Sequence, residues 1–238
     1  MDLQNKVALI TGASSGIGKA IAQSLDSAGM KLVLTARSQG KLDELAASLQ
    51  QAKVLAGAIT DPDIPQKLLD TALDTFGQLD VVINNAGVMT VGAIEDVDIE
   101  AICDMVRLNV ESVYRMAYTA LRHFKTTGSG FLINTSSIAG LKTAPQYGAY
   151  NGTKYAIEAF TDALRMELAG TGIKVSAIAP GTVATGLYDH WSQEEKAYVT
   201  SGGALQPEDI ARCVRFVLEQ PDHLLIPRML AVPINQPV

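Results

Sequence analysis

Short runs of β-branched and aliphatic residues recur along the chain, at 7–11, 31–35, 53–58, 79–84, 130–135 and 173–179. After each run, apolar residues return every three or four positions, the period of an amphipathic helix. That alternation predicts parallel strands joined by crossover helices. Most of the runs are apolar throughout, as strands are when helices cover both faces of their sheet. A further run at 224–230 supplies a seventh strand.

Helix starts fall where this rhythm requires them. Asp61 before Pro62 reads as an N-cap with proline at the first helical position. Gln206-Pro207-Glu208-Asp209 opens another helix, with two acids in the first turn where the helix dipole favours them. Two long helices are expected at about 97–124 and 149–169. No linker, charge block or repeat interrupts the pattern. The expectation is one α/β, doubly wound, Rossmann-type domain over 1–238, a parallel sheet of about seven strands with helices on both faces. Its cofactor half spans about 1–130 and its catalytic and substrate half about 131–238.

Composition narrows the function classes. Of 238 residues 47% are apolar and only 18% charged, so part of the exterior is expected to be covered by copies of the same chain. A net charge of −6 offers no basic footprint for nucleic acid or an anionic membrane. The apolar run at 7–10 is too short for a signal-peptide core, and nothing approaches a membrane span. A soluble cytoplasmic protein is expected. Cys103 and Cys213 lie in helix-like patterns without a second ligand at metal spacing, which reads as two buried free thiols and no metal site.

Between the first strand and the first helix stands Thr11-Gly12-Ala13-Ser14-Ser15-Gly16-Ile17-Gly18. Three glycines there permit a tight turn, a close backbone approach to a pyrophosphate and close packing of helix on strand. The helix N-terminus then offers amide donors to phosphates. A glycine-rich turn alone is often only a turn; its place between strand and helix gives it meaning.

The spacing T-G-x-x-x-G-I-G resembles that of the classical short-chain dehydrogenase/reductase family. The resemblance continues through Asn84-Asn85-Ala86-Gly87 after the fourth strand, Asn109, Ser137, Tyr150 with Lys154, and Pro180-Gly181-Thr182-Val183-Ala184-Thr185. These motifs stretch from residue 11 to residue 185, in the family's order and at the expected strand ends. Membership implies a nicotinamide-dependent oxidoreductase acting on carbonyls or secondary alcohols. It implies cofactor contacts from Gly12, Ser14, Ser15, Gly16, Ile17, Gly18, Asn85, Ala86, Gly87, Tyr150, Lys154, Pro180, Gly181, Val183 and Thr185.

The end of the second strand bears on which nicotinamide is preferred. An acid there holds a ribose 2′-hydroxyl and repels a 2′-phosphate. Here Ala36 stands where NAD-preferring relatives carry aspartate, followed by Arg37, whose planar fork suits a phosphate. NADP(H) is therefore expected over NAD(H). One departure follows the third strand. The family's D-V-x-D is replaced by Ala58-Ile59-Thr60-Asp61, which removes the first aspartate's adenine contact and leaves backbone near Ile59 to make it.

Tyr150 and Lys154, four residues apart, share one helix face. Tyrosine titrates near ~10, too high for efficient proton exchange at neutral pH. A positive charge about 4 Å away, at an effective dielectric of about 20, contributes roughly 4 kcal/mol and brings the phenol into a useful range. Ser137, thirteen residues upstream of Tyr150, follows the fifth strand at the edge where open α/β sheets bind ligands. The resemblance gives Ser137 a hydrogen bond to the substrate oxygen and Asn109 a water linking Lys154 to solvent. It assigns Val183 and Thr185 to the carboxamide and phosphates. Without it, Ser137 is equally a turn-capping hydroxyl and Asn109 a mild helix defect.

The loop 186–206, with Leu187, Tyr188, Trp191, Tyr198 and the glycine pair Gly202-Gly203, is expected to choose the substrate. Its side chains suit an apolar or aromatic carbonyl compound or, alternatively, a neighbouring subunit. His190 reads as an exposed loop histidine. The segment Ile226-Pro227-Arg228-Met229-Leu230-Ala231-Val232-Pro233 lacks the aspartate-glycine-glycine of fatty-acid ketoreductases, which leaves a 3-oxoacyl-carrier ketoreductase as an alternative and not the main expectation. A non-catalytic NADP(H)-binding redox sensor would keep the glycine turn and dispense with Ser137, Tyr150 and Lys154. A homodimer or homotetramer through the two long helices is expected.

Overall fold

The computed structural model describes residues 1–188, 200 and 203–237. Seven strands form one sheet in the order β3-β2-β1-β4-β5-β6-β7, every neighbouring pair parallel. They are β1 (Val7–Thr11), β2 (Lys31–Ala36), β3 (Ala52–Ala56), β4 (Val81–Asn84), β5 (Gly130–Thr135), β6 (Ile173–Pro180) and β7 (Arg228–Ala231). Among the described residues the α-helices are α1 (Gly16–Ser27), α2 (Gln39–Ala47), α3 (Ile64–Phe76), α4 (Ile99–Val106), α5 (Ser112–Thr127), α6 (Gly148–Glu167) and α7 (Pro207–Leu218).

Continuously apolar strands make sense once each face of the sheet is followed outward. Ala8 and Ile10 of β1 belong to one core with Ile21 and Leu25 of α1, Leu42 of α2 and Val214 of α7. Val7 and Leu9, pointing the other way, join Leu68 of α3, Phe124 of α5 and Leu164 of α6. Alternate side chains therefore fill two separate cores, the pleat of a doubly covered sheet. The chain builds outward from β1 to β3 and then returns to the other side of β1 at β4. This reversal opens a crevice at the carboxyl ends of β1 and β4, where such sheets bind ligands.

Several boundaries move from the expected ones. The third strand ends at Ala56 rather than 58, and the fourth begins at Val81 rather than 79. β7 is confined to Arg228–Ala231, since its pairing with β6 starts only at Ala177 opposite Arg228. Asp61 is not the N-cap of α3. Its carboxylate accepts the Asp63 amide at 2.9 Å, a local turn that delays the helix until Asp63, which takes the N-cap position without a side-chain cap bond, and Pro65 in the first turn. At α7 the expected start holds: Gln206 caps and Asp209 accepts the Gln206 amide at 2.7 Å.

The expected helix at 97–124 is not uniform. A π-helical turn, Arg107–Glu111, separates α4 from α5. Such turns rotate the side chains they carry relative to an ideal helix and gather at functional sites. Asn109 sits in its middle.

Candidate active site

The glycine turn is built by contact with the loop after β4. Gly12 has a φ of +66°, and a Cβ on it would stand 2.8 Å from the Ala86 Cα. On Gly18 a Cβ would stand 2.3 Å from the Gly12 carbonyl oxygen. Both positions therefore require glycine. Thr11 clamps the two loops together, its hydroxyl accepting the amides of Asn85 and Ala86 at 3.0 Å each. The Asn85 side chain returns a bond to the Thr11 carbonyl at 3.1 Å. Ser15 is the N-cap of α1 but makes no side-chain cap bond, so it satisfies none of the amides of the first turn. The turn thus brings together helix amides, two glycines and the hydroxyls of Ser14 and Ser15, groups whose chemistry suits an anion.

Arg37 stands at the adjoining strand end. The Ala13 amide donates to the Thr35 carbonyl at 3.1 Å, tying the glycine turn to β2 two residues before Arg37. Arg37 is exposed and makes no ion pair among the described residues.

The residues expected to do the chemistry come from three places: the end of β5, α6 and the π turn. Ser137 follows β5 in extended conformation, and its hydroxyl caps a short 3₁₀ turn (Ile138–Gly140) by accepting the Ala139 amide at 3.1 Å. The same hydroxyl reaches the Pro180 carbonyl at the end of β6 at 3.5 Å. Tyr150 and Lys154 lie in the first two turns of α6, 6% and 8% exposed. Lys154 Nζ donates to the Thr135 carbonyl, the last residue of β5, at 3.0 Å and sits 5.9 Å from the centre of the Tyr150 ring. Burial holds the Lys154 pKa down at about 8, opposed by the negative charge of Glu158 one turn further on.

Asn109 is locked to the loop after the Asn-Ala-Gly motif. Its Oδ1 accepts the Val88 amide at 2.9 Å and its Nδ2 donates to the Val88 carbonyl at 2.8 Å. A Cβ on Gly87 would lie 3.2 Å from Asn109 Oδ1 and 3.9 Å from Lys154 Nζ, so Gly87 leaves the space between them open. A buried polar chain fixes α6 on the sheet: Asn84 donates to Asn134, and Asn134 to Thr161, at 3.0 and 2.9 Å.

The structure thus brings a glycine turn at a helix N-terminus, a buried lysine beside a buried tyrosine, and a serine to the carboxyl edge of one sheet, in the spacing of one known family. The family model described as short chain dehydrogenase matches residues 6–196. The chain belongs to the short-chain dehydrogenase family. An uncharacterized oxidoreductase of Staphylococcus aureus (strain USA300) is 36% identical over 234 residues, covering 98% of this chain and 99% of that protein. An alcohol dehydrogenase from the archaeon Thermococcus sibiricus, solved with 5-hydroxy-NADP, is 29% identical with a TM-score of 0.88, over 99% of both chains. A variant actinorhodin polyketide ketoreductase solved with NADPH is 28% identical with a TM-score of 0.87, over 96% of each.

Within this short-chain dehydrogenase the remaining expected residues divide. Ile59 is 8% exposed and its side chain packs into the core beneath α3, leaving only its backbone for a ligand. Thr185 lies against Gly16, so the loop after β6 reaches the glycine turn. Val183 is buried and bridges to Leu205. Gly181 faces the segment after β7, since a Cβ on it would stand 2.2 Å from Gln236 Oε1. Cys103 and Cys213 are free but half-buried rather than buried, and burial pushes the Cys213 thiol up. Trp191, Tyr198, His190 and Gly202 lie outside the described residues.

Other residues escaped sequence reasoning. Asn151, next to Tyr150, donates to the carbonyls of Ala139 and Lys142 at 2.7 and 2.8 Å and so straps the loop carrying Ser137 onto α6. Met89, Met105 and Tyr147 cluster with Tyr150, and with Leu187 of the loop expected to choose the substrate, as an apolar wall. Nothing in the spacing of Met89, Met105 and Tyr147 marks them, because each comes from a separate element.

Proposed function

We propose that this short-chain dehydrogenase interconverts a carbonyl compound and its alcohol with NADP(H), using Tyr150 as general acid and base. The observation that carries the reading is the buried Lys154 ammonium 5.9 Å from the Tyr150 ring, pinned by the Thr135 carbonyl at the end of β5. A fixed, poorly solvated cation stabilises the phenolate more than a surface lysine does.

The glycine turn fits a dinucleotide: Gly12, Ser14, Ser15, Gly16, Ile17 and Gly18 for the pyrophosphate, Asn85, Ala86 and Gly87 on the facing loop. Val183 and Thr185 would hold the nicotinamide end, with Pro180 and Gly181 shaping the backbone that leads to them. When bound, the nicotinamide supplies or accepts a hydride at the substrate carbon. The protein's share is position and protons. Ser137 and Tyr150 donate hydrogen bonds to the carbonyl oxygen, and Tyr150 passes its proton to that oxygen as charge develops. Lys154 stabilises the phenolate left behind, and Asn109, beside the gap under Gly87, orders the solvent path that restores the proton.

Arg37 supports NADP(H) over NAD(H), since it is an exposed cation without an ion-pair partner among the described residues, where a 2′-phosphate would fall. Arg37→Ala is expected to weaken NADPH binding ten- to a hundredfold while leaving NADH nearly unchanged, as for a charge-assisted contact of about 1.5 to 3 kcal/mol. Parallel titrations of both cofactors check this. A wild-type protein that holds NADH as tightly as NADPH would overturn the preference.

The apolar wall of Met89, Met105, Tyr147 and Leu187 favours an apolar carbonyl substrate. An oligomer is supported by apolar side chains left exposed on α4, α5 and α6: Ile99, Tyr118, Tyr155 and Met166 are 71%, 48%, 41% and 68% exposed. Light scattering at micromolar concentration is expected to give two or four times 25.2 kDa; a single species at 25.2 kDa would remove the idea. No group of three or more potential metal ligands occurs among the described residues, nor any helix long and apolar enough to cross a membrane.

A further inference from the structure

The segment after β7, residues 232–237, turns back across the carboxyl end of β6. A turn closed by the Gln236 amide donating to the Pro233 carbonyl at 2.9 Å brings the Gln236 side chain over Gly181. There its Oε1 accepts the amide of Thr182 at 3.0 Å, across 54 residues of sequence. The seat exists because residue 181 is glycine: a Cβ there would stand 2.2 Å from that oxygen and 3.0 Å from Val232 Cγ1.

Thr182 is only 6% exposed, and no other acceptor for its amide is found among the described residues. Its carbonyl is held from the opposite side, accepting the Leu205 amide at 2.9 Å, and the Ala184 amide donates to the Leu205 carbonyl at 2.8 Å. Pro233 of the same segment rests against Gly203, 3.7 Å from where a Cβ would be, at the far end of the 186–206 loop. One short segment thus touches both the strand end that leads to Val183 and the close of the loop that follows.

We infer that Gln236 is a positioning residue, whose side-chain oxygen fixes the backbone at Gly181 and Thr182 so that Val183 and Thr185 are presented to the nicotinamide end of the cofactor. The inference rests on the cofactor reading given above. The physical reason is economy of order. A loop that must hold a ligand loses affinity when binding also has to organise its backbone, and a preformed hydrogen bond removes that cost in advance. Without the acceptor, the buried Thr182 amide must find water or another partner, which shifts the loop away from its present course.

The test compares Gln236→Met, which keeps length and removes the acceptor, with Gln236→Glu, which keeps an acceptor oxygen. NADPH affinity is read by fluorescence titration, with thermal melting and kcat and KM for an accepted carbonyl alongside. Gln236→Met is expected to raise the NADPH dissociation constant about five- to tenfold. Its melting temperature and its kcat at saturating cofactor should stay close to wild type, and Gln236→Glu should recover most of the affinity. Wild-type affinity in Gln236→Met, or an equal loss in both variants, overturns the inference. A wild-type protein that binds no NADPH overturns the cofactor reading first and this inference with it.

Discussion

Tyr150→Phe is expected to bind NADPH as wild type does and to lose between a hundred- and ten-thousandfold in carbonyl reduction. The range is that of general acid catalysis by a positioned side chain. The ring of Tyr150 packs with Met89 and Met105, and phenylalanine keeps that packing, so the fold and the apolar wall survive. Only the hydroxyl is removed, and with it the proposed proton donor to the carbonyl oxygen. Steady-state rates with purified variant, alongside a cofactor titration, separate the two effects. A variant that reduces substrate at the wild-type rate would strip Tyr150 of its role.

Lys154→Met should cost roughly a hundredfold in turnover and also alter how stability depends on pH. A unit charge 5.9 Å from the ring centre, at an effective dielectric of about 20, contributes about 3 kcal/mol to phenolate formation, hence the hundredfold. The stability effect has a fixed sign. Burial lowers the lysine from its ordinary 10.5 to about 8, so between those values the unfolded chain binds more protons than the folded one. Stability from this group therefore rises with pH across that window and is flat below pH 8. The difference in unfolding free energy between wild type and Lys154→Met should move by about 3 kcal/mol in favour of wild type from pH 8 to 10.5. Denaturant titrations at both ends of the window measure it. Parallel curves for the two proteins would mean that the lysine is not held in a desolvated site.

The strands were legible because a doubly covered sheet leaves its strands apolar on both sides, a pattern few other structures share. Their ends were less so. The run at 224–230 is apolar but for Arg228, yet only Arg228–Ala231 pairs with β6, since the ladder is decided by where β6 ends and not by hydropathy. Of the candidate site, the glycine turn could be read from its place between strand and helix, whereas Tyr150, Lys154 and Ser137 stood out only through the family resemblance, local geometry giving no more than one helix face and one strand end. Asn109 was identified but its setting was not. Helical periodicity runs smoothly across 97–124 and carries no sign of the π turn around Asn109 or of its two bonds to Val88, 21 residues away. Asn151 and Gln236 were illegible for the same reason. Each acts through backbone groups 9 to 54 residues away, and a lone amide side chain carries no periodic signal of its target.

The most direct test of the account is NADPH consumption by the wild-type protein across a panel of ketones, aldehydes and 3-oxo acids, run beside Tyr150→Phe. The account predicts that at least one apolar ketone or aldehyde is reduced at a rate proportional to wild-type enzyme, with one alcohol formed per NADPH lost, and that Tyr150→Phe leaves the same mixture essentially unchanged. A wild-type protein that binds NADPH tightly yet reduces no carbonyl in the panel would contradict it and make the protein a cofactor-binding sensor instead.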